Sequence, residues 1–127
     1  MRATLSRVFL ALAAAILVAG AWMHTSAFHR AVEAVAKSDL EAFFAHSLLA
    51  LWLIDSSVMT VFAILFAAIC IRPAIAYPLA VAVLGLVPAA TACLLYRFVG
   101  SAFIPAHMLA LTAALAFASA ALRPRDA

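Results

Sequence analysis

The chain has 127 residues, of which 70% are hydrophobic and 10% charged, with a mean hydropathy of +1.22. A water-soluble domain carries roughly 45–50% apolar and about 25% charged residues, so a soluble globule is excluded, as is disorder, which needs low hydrophobicity and high charge. Eight Lys and Arg against five Asp and Glu leave +3, scattered along the chain and not gathered into the basic face that nucleic acid requires.

A membrane-crossing helix needs about 20 mostly apolar residues, because the hydrocarbon core is roughly 30 Å thick and a helix rises about 1.5 Å per residue. Four stretches qualify, at 8–28, 43–71, 74–95 and 103–122, within a single membrane domain covering 1–127. They are continuous apolar runs and not the short alternating segments of a membrane β-barrel. The expected fold is therefore an all-α, antiparallel four-helix transmembrane bundle, with a long first hairpin projecting on the outer side.

The first span is alanine-rich. Residues 1–21 also have the layout of a secretory signal, with Arg2 and Arg7 before an apolar core and Ala19-Gly20-Ala21 as a cleavage motif. The apolar run continues through Trp22, Met23, Ala27 and Phe28, which favours a retained first span. Ala11, Ala15 and Ala19 recur every fourth residue, the small-residue pattern that lets membrane helices approach closely. Beyond the span, Ser38-Asp39-Leu40-Glu41 matches a capping box, which predicts a second helix over 39–71, about 50 Å long. A hairpin folded about Lys37-Ser38 sets His29 level with His46, and Asp55 level with Gly20. An amphipathic segment on the outer surface is the alternative for the residues just before it.

The link Arg72-Pro73 is short and predicts that the second and third spans are antiparallel neighbours. Pro88 interrupts the backbone ladder of the third span and predicts a kink; Gly85 and Ala89 repeat the small-residue spacing. Cys70 and Cys93 form no CxxC and fall near opposite membrane faces, too far apart for a disulfide. Folding the last pair of spans about Gly100 puts His107 near Cys93, with Tyr96 and Arg97 just outside. The fourth span stops at Arg123-Pro124-Arg125. Trp22, Trp52, Tyr77 and Tyr96 read as interfacial anchors. With both termini on one side, that side holds Arg2, Arg7, Arg72, Arg123 and Arg125, against Arg30, Lys37 and Arg97 opposite; the positive-inside bias then favours cytoplasmic termini.

Ionisable groups inside a membrane are costly and mark function more often than chance. Asp55 is the strongest candidate, one turn inside the interface and followed by Ser56, Ser57 and Thr60, whose hydroxyls are expected to bond the preceding turn. All four histidines gather on the same side. Asp55, Ser56, His24 and His107 form a candidate intramembrane polar site for protons or a polar group. His29, His46 and Glu33 offer two nitrogens and an oxygen to Zn, Cu or Fe, and a pair of histidines can ligate haem iron. His46 and Asp55 are nine positions apart, about 180° around a helix, so they face different ways. The plainer reading makes the histidines boundary residues with no metal or haem bound.

Two four-span families fail at their motifs. Small multidrug-resistance transporters are similar in length, but they carry an acid in the first span, and residues 8–28 have none. Vitamin K epoxide reductase-like enzymes need a CxxC, which is missing. No phosphate loop, nucleophile elbow or HExxH occurs, so the first reading is non-enzymatic. It is an accessory or interaction subunit of a bacterial inner membrane, surrounded by lipid and assembled with copies of itself or within a larger membrane complex. A small proton-coupled carrier using Asp55 is the second reading. A metal- or haem-binding redox protein using the histidines is the third.

Overall fold

A computed structural model describes residues 1–123; Pro124 and Arg125, which the sequence reading uses for the last stop and the charge balance, lie outside them. The described residues are helical, with no strand. Five α-helices follow one another: α1 (Arg2–Ser26), α2 (Phe28–Ala36), α3 (Ala42–Ile71), α4 (Pro78–Phe98) and α5 (Ile104–Leu122), with a 3-10 turn at Pro73–Ile75 between α3 and α4. Four helical stretches are long and apolar enough to cross a membrane, the first made of α1 and α2 together. Large side chains such as Val18, Ile64 and Leu86 point outward, as expected where the surrounding solvent is itself apolar.

The helix ends explain where the chain departs from expectation. In lipid, the terminal carbonyls of a helix need partners from within the protein. At the end of α1, Met23 accepts from the Ala27 N–H and from Ser26 Oγ, and Ser26 accepts from the His29 ring. Ala27 keeps a right-handed conformation (φ −84°, ψ −2°), so α2 resumes after a shallow break. The predicted capping box does not form. Ser38 Oγ donates back to the Val35 carbonyl at 2.7 Å and closes α2, leaving α3 to begin at Ala42 after Glu41, which makes no side-chain cap. The apex thus lies in the non-helical stretch after Ala36, beyond Lys37-Ser38, and the register moves by one turn: Met59 faces Gly20, and Asp55 stands level with His24.

Packing runs in the order α3, α1, α5, α4. Helix α1 lies between α3 and α5, and α4 packs on α5. Helices α3 and α4 do not pack along their lengths, contrary to the prediction from their short link. Residues 72–77 can reach roughly 20 Å when extended. Arg123, just past α5, bonds to the carbonyls of Ile69, Pro73 and Ala76 at that link. The end of α5 therefore stands beside the connection.

The core follows this order. Leu10, Ala13 and Leu17 of α1 are buried with Ala63 and Phe66 of α3 and Ala116 of α5. The small-residue stripe Ala11, Ala15, Ala19 faces outward; the inward stripe of α1 is Ser6, Leu10, Ala13, Leu17 and Ala21. Ser6 and Ser119 are both buried, their hydroxyls 2.8 Å apart, and each hydroxyl also reaches the other residue's carbonyl. On α4, Val81, Gly85, Pro88 and Ala92 form the buried stripe, and the helix continues through Pro88. The α4–α5 turn needs Gly100, whose φ of +109° suits a residue without a Cβ.

A Cβ at Gly85 would meet Ala116 and the Phe117 ring at 3.1 Å. Gly85→Val is therefore expected to push α4 off α5 and to cost about 1–3 kcal/mol, measured as lowered thermal stability in detergent. Ala90→Val, on the exposed side of the same helix, should cost much less. Equal stability of both variants would contradict the packing described.

Candidate functional site

The site is built where α1 ends. His24 occupies the last turn of α1, beside the terminal carbonyls of that helix. Trp52, on α3, stacks on that ring with centroids 4.3 Å apart and planes 14° from parallel. Its indole N–H donates to the His24 carbonyl at 2.8 Å. One tryptophan thus holds the imidazole from the side and satisfies the backbone beneath it.

Ser56 follows Trp52 by one helical turn and meets the same ring. His24 Nδ1 is 2.9 Å from Ser56 Oγ, while Ser56 Oγ is 3.2 Å from the Trp52 carbonyl. The hydroxyl has one proton and two acceptors within reach. If it donates to Trp52, it accepts from Nδ1–H, and Nε2 faces Asp55 as a lone pair unless the ring is doubly protonated. If it donates to Nδ1, then Nε2–H points toward Asp55. The Ser56 hydroxyl and the His24 tautomer are therefore linked, and the tautomer determines whether Nε2 presents a proton or a lone pair to Asp55.

Asp55 Oδ2 lies 3.6 Å from His24 Nε2, too far for a hydrogen bond but within the distance of an ion pair when the ring is protonated. Its side chain is 44% exposed, against 26% for His24, because Asp55 opens onto a cavity. That cavity has a volume of about 430 Å³ and is walled by all four long helices, including Leu17, Met59, Leu95, Phe103 and Met108. His24, Trp52 and Asp55 form its polar patch on otherwise apolar walls. Asp55 also borders a narrow cleft between α3 and α4, beside Pro88 and Thr91. A carboxylate and an imidazole side by side can exchange a proton and can bind a basic nitrogen of a small, mainly apolar molecule.

Of the four residues in the predicted polar site, the structure gathers Asp55, Ser56 and His24. His107 lies elsewhere. Its Nε2 faces the Ser101 carbonyl and its Nδ1 faces the Tyr96 hydroxyl, both at 2.8 Å. A carbonyl only accepts, so Nε2 carries the proton, and a neutral ring then accepts from Tyr96. His107 closes the α4–α5 turn.

The metal set is not assembled. His29 uses Nδ1 on the Ser26 carbonyl, Glu33 pairs with Lys37 at 2.8 Å, and His46 is exposed on α3. Among the described residues no group of three His, Cys, Asp or Glu side chains comes within reach of one ion, since the shifted apex breaks the register that placed His29 opposite His46. Ser57 and Thr60 bond back to Leu53 and Ser56 as expected. Cys70 and Cys93 are free.

Trp52 is the site residue that the sequence reading misses, since it reads as an interfacial anchor. Its spacing of four from Ser56 and three from Asp55 was the available signal. Comparison with protein families, with curated proteins and with solved structures gives no match.

The chain has two tryptophans, so Trp52 reports alone in a Trp22→Phe background. Its fluorescence should change on His24→Ala, which removes the stacked ring, and stay unchanged on His46→Ala. Identical spectra for both would contradict the stacking.

Proposed function

We propose that the chain is a small proton-coupled carrier that binds a mainly apolar cation, with Asp55 as the binding carboxylate and His24 as its proton partner. The observation that carries this reading is the His24–Asp55 pair in the wall of an apolar cavity shared by four membrane helices. A carboxylate at the bilayer centre costs roughly 2.5–3.5 kcal/mol on insertion scales, and less at the shallower depth of Asp55. That cost is offset when the acid is protonated or paired, and a cationic ligand replaces the proton directly. Exchange of one for the other at Asp55 links ligand movement to proton movement. Ser56 and Trp52 keep the imidazole in place during the exchange.

The same reading takes the four long helices as an antiparallel transmembrane bundle in a bacterial inner membrane. The pairs Ser6–Ser119, Arg7–Cys70 and Tyr96–His107 support that alternation of direction. The excess of Lys and Arg at the end holding Arg2, Arg7, Arg72 and Arg123 supports cytoplasmic termini, with the α2–α3 hairpin and the cavity toward the outer face. A second reading, an accessory subunit or homo-oligomer, is favoured by the outward stripe Ala11, Ala15, Ala19. A small-residue stripe turned to lipid leaves a membrane helix free to pack against a partner.

In proteoliposomes with an imposed pH gradient, uptake of the lipophilic cation tetraphenylphosphonium should be abolished by Asp55→Asn while helicity and elution remain unchanged. His24→Ala should leave uptake but weaken its dependence on the gradient. Uptake in Asp55→Asn equal to that of the unchanged protein, or none in either, would overturn the carrier reading. Loss of self-association in Ala15→Leu would then favour the accessory one.

A further inference from the structure

The end of the bundle opposite the His24–Asp55 cavity is strongly basic. Arg2, Arg7, Arg72 and Arg123 all lie there, whereas the described acids Glu33, Asp39, Glu41 and Asp55 belong to the other half of α3 and the α2–α3 hairpin. Two of these arginines share a cavity. It has a volume of about 380 Å³ and is lined by Ser6, Arg7, Pro73, Ala76, Pro78 and Arg123, with no acidic side chain among its described walls.

Both guanidinium groups are held in place. Arg7 Nε donates to the Cys70 carbonyl at 2.8 Å, so the terminal carbonyls of α3 take a cation as helix C-termini prefer. Arg123 donates through its terminal nitrogens to the carbonyls of Ile69, Pro73 and Ala76, but its buried Nε has no partner among the described residues. Desolvation by burial lowers the Arg123 pKa from its ordinary value, ahead of an opposing coulombic contribution from Cys70. A buried donor without an acceptor is costly, and two fixed guanidinium groups around one void meet no carboxylate among the described residues. Pro78 adds the start of α4, whose first N–H groups are directed toward the same end.

We propose that this cavity binds a phosphoryl group, with Arg7 and Arg123 as its ligating cations. Guanidinium matches the planar pairs of oxygens on phosphate better than any other side chain does. The cavity lies at the starts of α1 and α4, beside the link that follows α3 and the end of α5, so it belongs to one end of the spanning helices, where the phosphates of a bilayer would be met. A phospholipid headgroup and a free phosphate offer the same chemistry. Neither depends on the carrier reading, because Asp55 and His24 are not involved.

The test is thermal stability in a zwitterionic detergent and phosphate-free buffer, with dioleoylphosphatidylglycerol, dioleoylphosphatidylcholine or inorganic phosphate added in turn. The proposal expects a stabilising shift with phosphatidylglycerol that Arg7→Gln reduces by half or more. Arg72→Gln, which removes the same charge outside the cavity, should keep the shift. A matching shift with inorganic phosphate identifies the ligand as free phosphate; a shift with phosphatidylglycerol alone identifies it as a headgroup. Arg123→Gln should also lose the shift, and Arg7→Gln serves if that variant fails to fold. No shift with any addition would overturn the proposal, as would equal loss in Arg7→Gln and Arg72→Gln, which signals bulk charge only.

Discussion

The interface between α1 and α5 holds the molecule together as one bundle. It joins two helix pairs, α1 with α3 and α4 with α5, that otherwise have little contact. Ser6 and Ser119 clamp one end of it with reciprocal hydroxyl bonds. Hydrogen bonds between membrane helices average about 0.6 kcal/mol and reach about 1.7, so this pair sets the register more than it supplies the stability. Close approach of Ala13, Ala113 and Ala116, all buried, supplies the dispersion contacts that must stand in for a hydrophobic effect inside lipid.

Because the two pairs meet mainly through α1 and α5, α3 and α4 remain apart. That separation creates the cavity and the cleft that Asp55 borders. A carboxylate buried between fully packed helices would be forced to neutralise; at the edge of a cavity it keeps access to a proton or a cation. The break at Ala27 completes the arrangement. It leaves the His24 carbonyl at a helix end, where Trp52 can donate to it, and that bond sets the indole against the imidazole. A requirement of the backbone therefore orients a side chain of the site.

Much of this was legible in the sequence, and the failures share a physical character. The four spans follow from hydropathy and length alone, because a lipid-exposed backbone leaves helices almost no alternative. Asp55, Ser56 and His24 stand out because polar groups in apolar runs are rare. What single-span periodicity does not carry is the rotation of each helix and the partner it meets. Ala11, Ala15 and Ala19 have the spacing of an interface yet face outward, since Leu10, Ala13 and Leu17 provide an alternative stripe on the same helix. Ser38 satisfies the pattern of a cap but is consumed closing α2, and that choice shifts the hairpin by a turn. The shift separates His29 from His46 and brings His24 to Asp55. His107 was expected near Cys93 but meets the Tyr96 hydroxyl and the Ser101 carbonyl, and the latter lies in a loop whose path no periodicity describes.

The most direct test of this account is the α1–α5 contact itself, in protein with Cys70→Ser and Cys93→Ser removing both native thiols. The Ser6 and Ser119 hydroxyls are 2.8 Å apart, a separation that permits a disulfide after small adjustment. Mild oxidation of the Ser6→Cys/Ser119→Cys variant should give an intramolecular bridge, read as a faster-migrating, reductant-sensitive band at monomer size. Absence of that band, or bridges formed only between chains, would contradict the packing order on which the cavity and its His24–Asp55 pair depend.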